Sequence, residues 1–154
     1  MANIGSRIVP SLLVRDMTET LAFYQDKLSF RQTGCHPDDG APVWAEVMRD
    51  GIVLQFYSDP PQGTLPTPSL SGTLYFFPDS VAGLAEEWCD VVTFEWGPEA
   101  MDYGQREFAI KDCNGYFLAF AEQALDGATG CGQQWISLIG ANKKSINNAI
   151  VDYC

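Results

Sequence analysis

The chain states one short pattern twice, and that repetition restricts its fold more than any other feature. Met48–Ser58 reads MRDGIVLQFYS, a basic residue, Asp and Gly ahead of an apolar run. Tyr103–Gln123 reads YGQREFAIKDCNGYFLAFAEQ, with the same order running from Lys111 through Asp112 and Gly115 into Tyr116–Ala121. Upstream, Val14-Arg15-Asp16 and Phe77-Pro78-Asp79 each precede a helical pattern. Asp16 and Asp79 lie 63 residues apart, and Gly51 and Gly115 lie 64 apart. Agreement between the two offsets implies two similar half-domains in tandem.

Each half can then be read in order. Ile8–Val14 is a short apolar strand carrying Pro10, which cannot donate to a ladder and so belongs at an edge or a bulge. Asp16 offers an N-cap with Glu19 three positions on. Met17, Leu21, Tyr24 and Leu28 share one helical face, so a helix is predicted near Met17–Lys27. Phe30–Cys35, Val43–Met48 and Ile52–Tyr57 read as strands, with an acidic loop at His36–Pro42 holding Asp38 and Asp39. Ser58–Ser71, with prolines at 60, 61, 66 and 68, reads as the linker. Gly72–Phe77 opens the second half as a strand, and Asp79 or Ser80 caps a helix with Val81, Leu84, Ala85 and Trp88 facing the core. Val91–Trp96 is a strand, Gly97–Gly104 a loop carrying Glu99 and Asp102, and Arg106–Ile110 alternates as a half-buried strand before the Asp112–Gly115 turn. The predicted order is β-α-β-β-β in each half. The expected organisation is one domain over residues 1–123, with modules 7–58 and 71–123, a linker 59–70, and a C-terminal extension 124–154 that belongs to no repeat.

With 154 residues, the chain is long enough to bury a core. Its net charge of −11 disfavours nucleic acid and anionic membrane and favours cationic ligands. Residues 124–154 carry Asp126, Asp152, Lys143 and Lys144, so the whole excess lies in residues 1–123. No apolar run reaches the length of a membrane span and Met1–Arg7 lacks a signal-like segment, so a cytoplasmic location is expected. The five cysteines show no paired C-x-x-C spacing, which argues for neither a disulfide framework nor a zinc site.

The segments VPSLLVRD (9–16), LAFYQDKLSF (21–30), VWAEVMRDG (43–51) and YGQREFAIKDCNG (103–115) resemble the vicinal oxygen chelate superfamily, which includes glyoxalase I, ring-cleaving dioxygenases and bleomycin resistance proteins. The likeness is closest to the bleomycin resistance proteins. It implies an α+β fold in which two βαβββ modules form curved mixed sheets around a cleft. Metal-dependent members place ligands at positions that match Val9, Gly72, Gln55 and Ala119 here. Of these only Gln55 carries a donor, whereas divalent-metal chemistry needs about three or more protein donors. His36, the single histidine, lies away from those positions.

The resemblance therefore implies a metal-free, cofactor-free homodimer that sequesters a drug in grooves between subunits. Trp44, Phe56, Trp96 and Tyr103 would offer flat faces to a planar heteroaromatic ligand. Glu46, Glu99, Asp102 and Asp38 would supply negative potential for a cationic tail, as in a bleomycin-type glycopeptide. Trp88, on the apolar helix face, is expected in the core. The competing reading is a metal-dependent glyoxalase-like lyase or ring-cleaving dioxygenase.

Overall fold

A computed structural model describes residues 8–59 and 67–123. Most of the linker's prolines and the extension 124–154 lie outside the described residues.

The first half begins with β1 (Ser11–Leu13), a three-residue edge strand just after Pro10. Helix α1 (Met17–Ala22) follows, continued by a π-turn over Phe23–Lys27. Its cap is the expected one: the Asp16 carboxylate accepts the Glu19 N–H at 2.8 Å. Met17, Leu21, Tyr24 and Leu28 are all buried, as their spacing required. β2 (Arg31–His36), β3 (Trp44–Arg49) and β4 (Ile52–Tyr57) complete a sheet of order β1-β4-β3-β2, with β1 parallel to β4 and the rest antiparallel. β2 is bulged between Gln32 and Gly34, and His36 closes this strand instead of opening the loop.

The second half repeats the plan with β5 (Leu74–Phe76), α2 (Val81–Trp88), β6 (Phe94–Ala100), β7 (Gln105–Lys111) and β8 (Phe117–Gln123). Its sheet order is β5-β8-β7-β6, the same as in the first half. Ser80, not Asp79, caps α2, accepting the Gly83 N–H at 3.0 Å. The predicted loop 97–104 is shorter than expected, because β6 runs on to Ala100 and carries Glu99 on a strand. Gly-Pro at 97–98 reads as a breaker, yet the structure uses it inside a double bulge. Gly97 has φ +71, and a Cβ there would meet the Glu107 carbonyl oxygen, so no other residue fits.

By contacts the chain divides into two compact units. One holds the described residues up to Thr73 together with Lys111–Phe117; the other holds Leu74–Ile110 with β8 from Leu118. In the first unit Tyr24 packs against Phe56 and Phe30, with ring centroids 4.8 and 5.6 Å away. In the second, Trp88 meets Phe120 edge-on at 5.0 Å, and Phe120 stacks on both Phe108 and Phe76 at 5.0 Å. Trp88 is core, as its helical position indicated.

The turn after β7 is the best-bonded polar element of the first unit. The buried Asp112 carboxylate accepts the Tyr24 hydroxyl at 2.9 Å and the N–H groups of Asn114 and Tyr116 at 2.9 and 2.8 Å. Asn114 accepts the Arg15 N–H at 2.9 Å and donates to Thr20 Oγ1 at 2.9 Å. Tyr116 donates its hydroxyl to the Leu13 carbonyl at 2.6 Å. Burial raises the Asp112 carboxyl above its ordinary value of 3.8, an effect opposed by the Tyr116 N–H and the Tyr24 hydroxyl.

Two expectations follow. Asn114→Ala leaves the part-buried Arg15 N–H without its acceptor and removes the buried bond to Thr20 Oγ1, and should cost about 1–3 kcal/mol in chemical denaturation. Asp112's raised ionisation means its contribution is fully present below pH 3.8 and declines as pH rises through the folded value. Tyr24→Phe removes a donor that favours the carboxylate and pushes that ionisation higher still. Its penalty should therefore grow between pH 3.5 and pH 7; a pH-independent penalty would show that Asp112 does not ionise against Tyr24.

Candidate functional site

Antiparallel partners share a sheet face, so register and burial together place each candidate side chain. In the first sheet Ala45, Val47, Leu54 and Phe56 are buried, and Phe56 touches Tyr24, which fixes that face as the helix-covered one. Phe56 is 0% exposed, a correction to its expected role as a ligand wall. Period-two alternation puts Tyr57, not Phe56, on the open face.

On that open face Trp44 stands opposite Tyr57, and Glu46 opposite Gln55. Trp44 is half-buried because its indole lies over Gly34 of β2. A Cβ on Gly34 would come within 3.3 Å of the ring. Beside it the Glu46 carboxylate accepts from Gln55 Nε2 at 3.0 Å and from Thr33 Oγ1 at 2.9 Å. This is an aromatic plate next to a carboxylate whose two oxygens are each held by a neutral donor. Asp38 is exposed on the loop after β2.

The second sheet holds a comparable group. Phe76 stacks on Phe120 in the core, so Tyr75 projects to the opposite face. Across β6 and β7, Trp96 stands opposite Ala109 and Glu99 opposite Glu107, on that same face. Trp96 is half-buried, while Glu99 and Asp102 are exposed. Glu107 is only 2% exposed and accepts a hydrogen bond from the Tyr75 hydroxyl at 3.3 Å. The Tyr103 hydroxyl also donates to Glu107. Partial burial, and then the Glu107 carboxylate, push the Tyr103 ionisation up to about 12. Burial and Glu107 likewise raise Tyr75.

Glu107 and Tyr75 were not among the sequence candidates. The repeat does not point to the glutamate: Glu107 lies 61 residues after Glu46, and the offset of 63 falls on Ala109 instead. Nothing in the sequence pointed to Tyr75 either, whose partner lies 32 residues away.

The metal positions suggested by resemblance do not fit an ion. Val9, Gly72 and Ala119 have no donor side chain, and the Gln55 amide is bonded to Glu46. Among the described residues no three His, Cys, Asp or Glu side chains gather where an ion could sit. Among the described residues, Cys35, Cys89 and Cys113 form no disulfide. No helix among the described residues is long and apolar enough to cross a membrane.

No protein-family profile and no curated protein matches the sequence. Solved structures do match in shape. TioX from Micromonospora sp. ML1 is similar over 77% of this chain and 99% of its own, with a TM-score of 0.63 and 17% identity. TnmS3, described as an antibiotic binding protein from Streptomyces sp. CB03234, is similar over 80% of this chain and 100% of its own, with a TM-score of 0.63 and 21% identity. A glyoxalase/bleomycin resistance protein/dioxygenase from Nocardioides gives a TM-score of 0.65 at 15% identity, over 84% of this chain and 91% of its own. At these identities the likeness is one of fold. Two βαβββ halves, two four-stranded mixed sheets and these structural relatives establish that the chain has the vicinal oxygen chelate fold of the glyoxalase/bleomycin resistance protein/dioxygenase superfamily.

Proposed function

We propose that the protein is a metal-free binding protein of the bleomycin-resistance type, which sequesters a cationic, planar aromatic ligand in a groove closed by a second copy of the chain. The observation that carries this reading is Trp44, held over Gly34 beside the doubly bonded Glu46 on an open sheet face. A buried core indole needs no such neighbour, whereas a ring system with an attached cation would use both. TnmS3, of the same fold, is described as an antibiotic binding protein, which supports the class of ligand. The net charge of −11 supports its sign. Trp96, Glu99, Asp102 and Tyr103 are proposed as a second set of contacts and Asp38 as an outlying one.

Titration with metal-free bleomycin, followed by tryptophan fluorescence, separates the two contributions. Stacking is worth about 0.5–1.5 kcal/mol beyond area burial. Trp44→Ala should therefore weaken binding roughly threefold to tenfold and leave the salt dependence unchanged. Charge attraction fades as the Debye length falls from ~10 Å at 0.1 M to ~3 Å at 1 M. Glu99→Gln combined with Asp102→Asn should flatten the salt slope. The reading is lost if bleomycin binds no better than spermine, or if a folded Trp44→Ala protein binds as well as the wild type.

A groove closed by a second copy requires a two-fold dimer. Light scattering at micromolar concentration should give twice the 17.0 kDa chain mass; a monomer would remove the groove from the proposal.

A further inference from the structure

Glu107 is an acidic side chain almost wholly out of water, and a buried carboxylate is costly unless hydrogen bonds meet it. Those bonds come from two phenols that are themselves well exposed, Tyr75 at 48% and Tyr103 at 51%. Each phenol has a single proton. With both protons turned inward to Glu107, the two oxygens keep only lone pairs for whatever approaches from solvent. The exposed rim is thus made of acceptors, backed by a buried negative charge. Phe77, 70% exposed, stacks on the Tyr75 ring with centroids 6.4 Å apart and extends the rim as an apolar shelf. Asp102, next to Tyr103, adds a further negative charge.

We infer that Tyr75, Tyr103 and Glu107 form a subsite for an ammonium group carried on an aromatic ring, with the phenol oxygens as its acceptors and Phe77 under the ring. An ammonium has donors and no acceptor, so it matches the lone pairs that the two phenol oxygens leave outward. A carboxylate or phosphate would find no donor on the two phenols and would face Glu107. This deepens the proposed function and rests on it: it names which cation is chosen and which residues choose it. Neither the resemblance nor the motif spacing points to these three side chains together. In this subsite Glu107 is a positioning residue, since the ligand meets the tyrosine oxygens and not the carboxylate.

The test uses three matched probes in calorimetric titrations: 2-naphthylmethylammonium, 2-naphthylmethanol and 2-naphthoate. The wild-type protein should bind the ammonium about tenfold or more tightly than the alcohol, and the carboxylate least well. Tyr75→Phe combined with Tyr103→Phe, both at exposed positions, should bring the ammonium-to-alcohol ratio near unity while keeping ring binding. Glu107→Gln should do the same, and ultraviolet titration should show Tyr103 ionising lower than in the wild type, with the part of the rise owed to burial retained. If Glu107→Gln fails to fold, the tyrosine pair still decides. A preference for the ammonium that survives in the double tyrosine variant overturns the subsite, as does a wild type that shows no such preference. Should bleomycin still bind through Trp44 in either case, only the subsite falls. If neither bleomycin nor the ammonium binds, the proposed function falls with it.

Discussion

A carboxylate taken out of water has to be met by donors, and Asp112 meets that demand in a way that ties distant parts of the chain together. Two of its donors are backbone N–H groups of its own turn, so the turn is self-supporting. The third is a hydroxyl from α1's π-turn, 88 residues earlier in the chain. Asn114 adds bonds to Arg15 and Thr20, and Tyr116 reaches the Leu13 carbonyl next to them. The loop between β7 and β8 therefore belongs, by its contacts, to the unit built from β1 to β4. Hydrophobic burial supplies most of the stabilisation, but it is non-directional. The polar turn fixes which segment sits against which.

Given that frame, strand alternation sorts the remaining side chains into two kinds. Leu54, Phe56, Phe108 and Phe120 go to the helix-covered faces and make the core. Trp44, Glu46, Tyr75 and Glu107 go to the open faces, where each glutamate is bonded by neutral donors. The donors differ between the halves: an amide and a threonine hydroxyl in the first, two phenols in the second. The same backbone plan thus yields two chemically distinct surfaces.

Much of the architecture was legible because its signals are local. Apolar spacing gave both helices, Asp16 and Ser80 were available as caps, and the repeat offsets implied two equivalent halves. Three features were misread, each for a physical reason. Phe56 looked like a ligand wall by residue type, though its parity with Leu54 already assigned it to the core. Gly97-Pro98 looked like the end of β6, since a bulge and a break use the same residues. Glu107 was passed over, because alternation gives the face of a strand and not what closes over it. That closure depends on Tyr75 and Tyr103, which only the folded chain brings to it.

Each sheet has one edge strand only three residues long, β1 or β5, and another that is bulged, β2 or β6. A short or kinked edge is a poor template for a foreign strand. A protein that keeps aromatic rings on open sheet surfaces would otherwise be exposed to runaway strand addition and fibre growth. Here the backbone edges resist polymerisation, so the side chains on the faces are free to vary with the ligand. The bulge at Gln32–Gly34 serves both ends at once: it interrupts an edge, and its glycine leaves the space that Trp44 occupies.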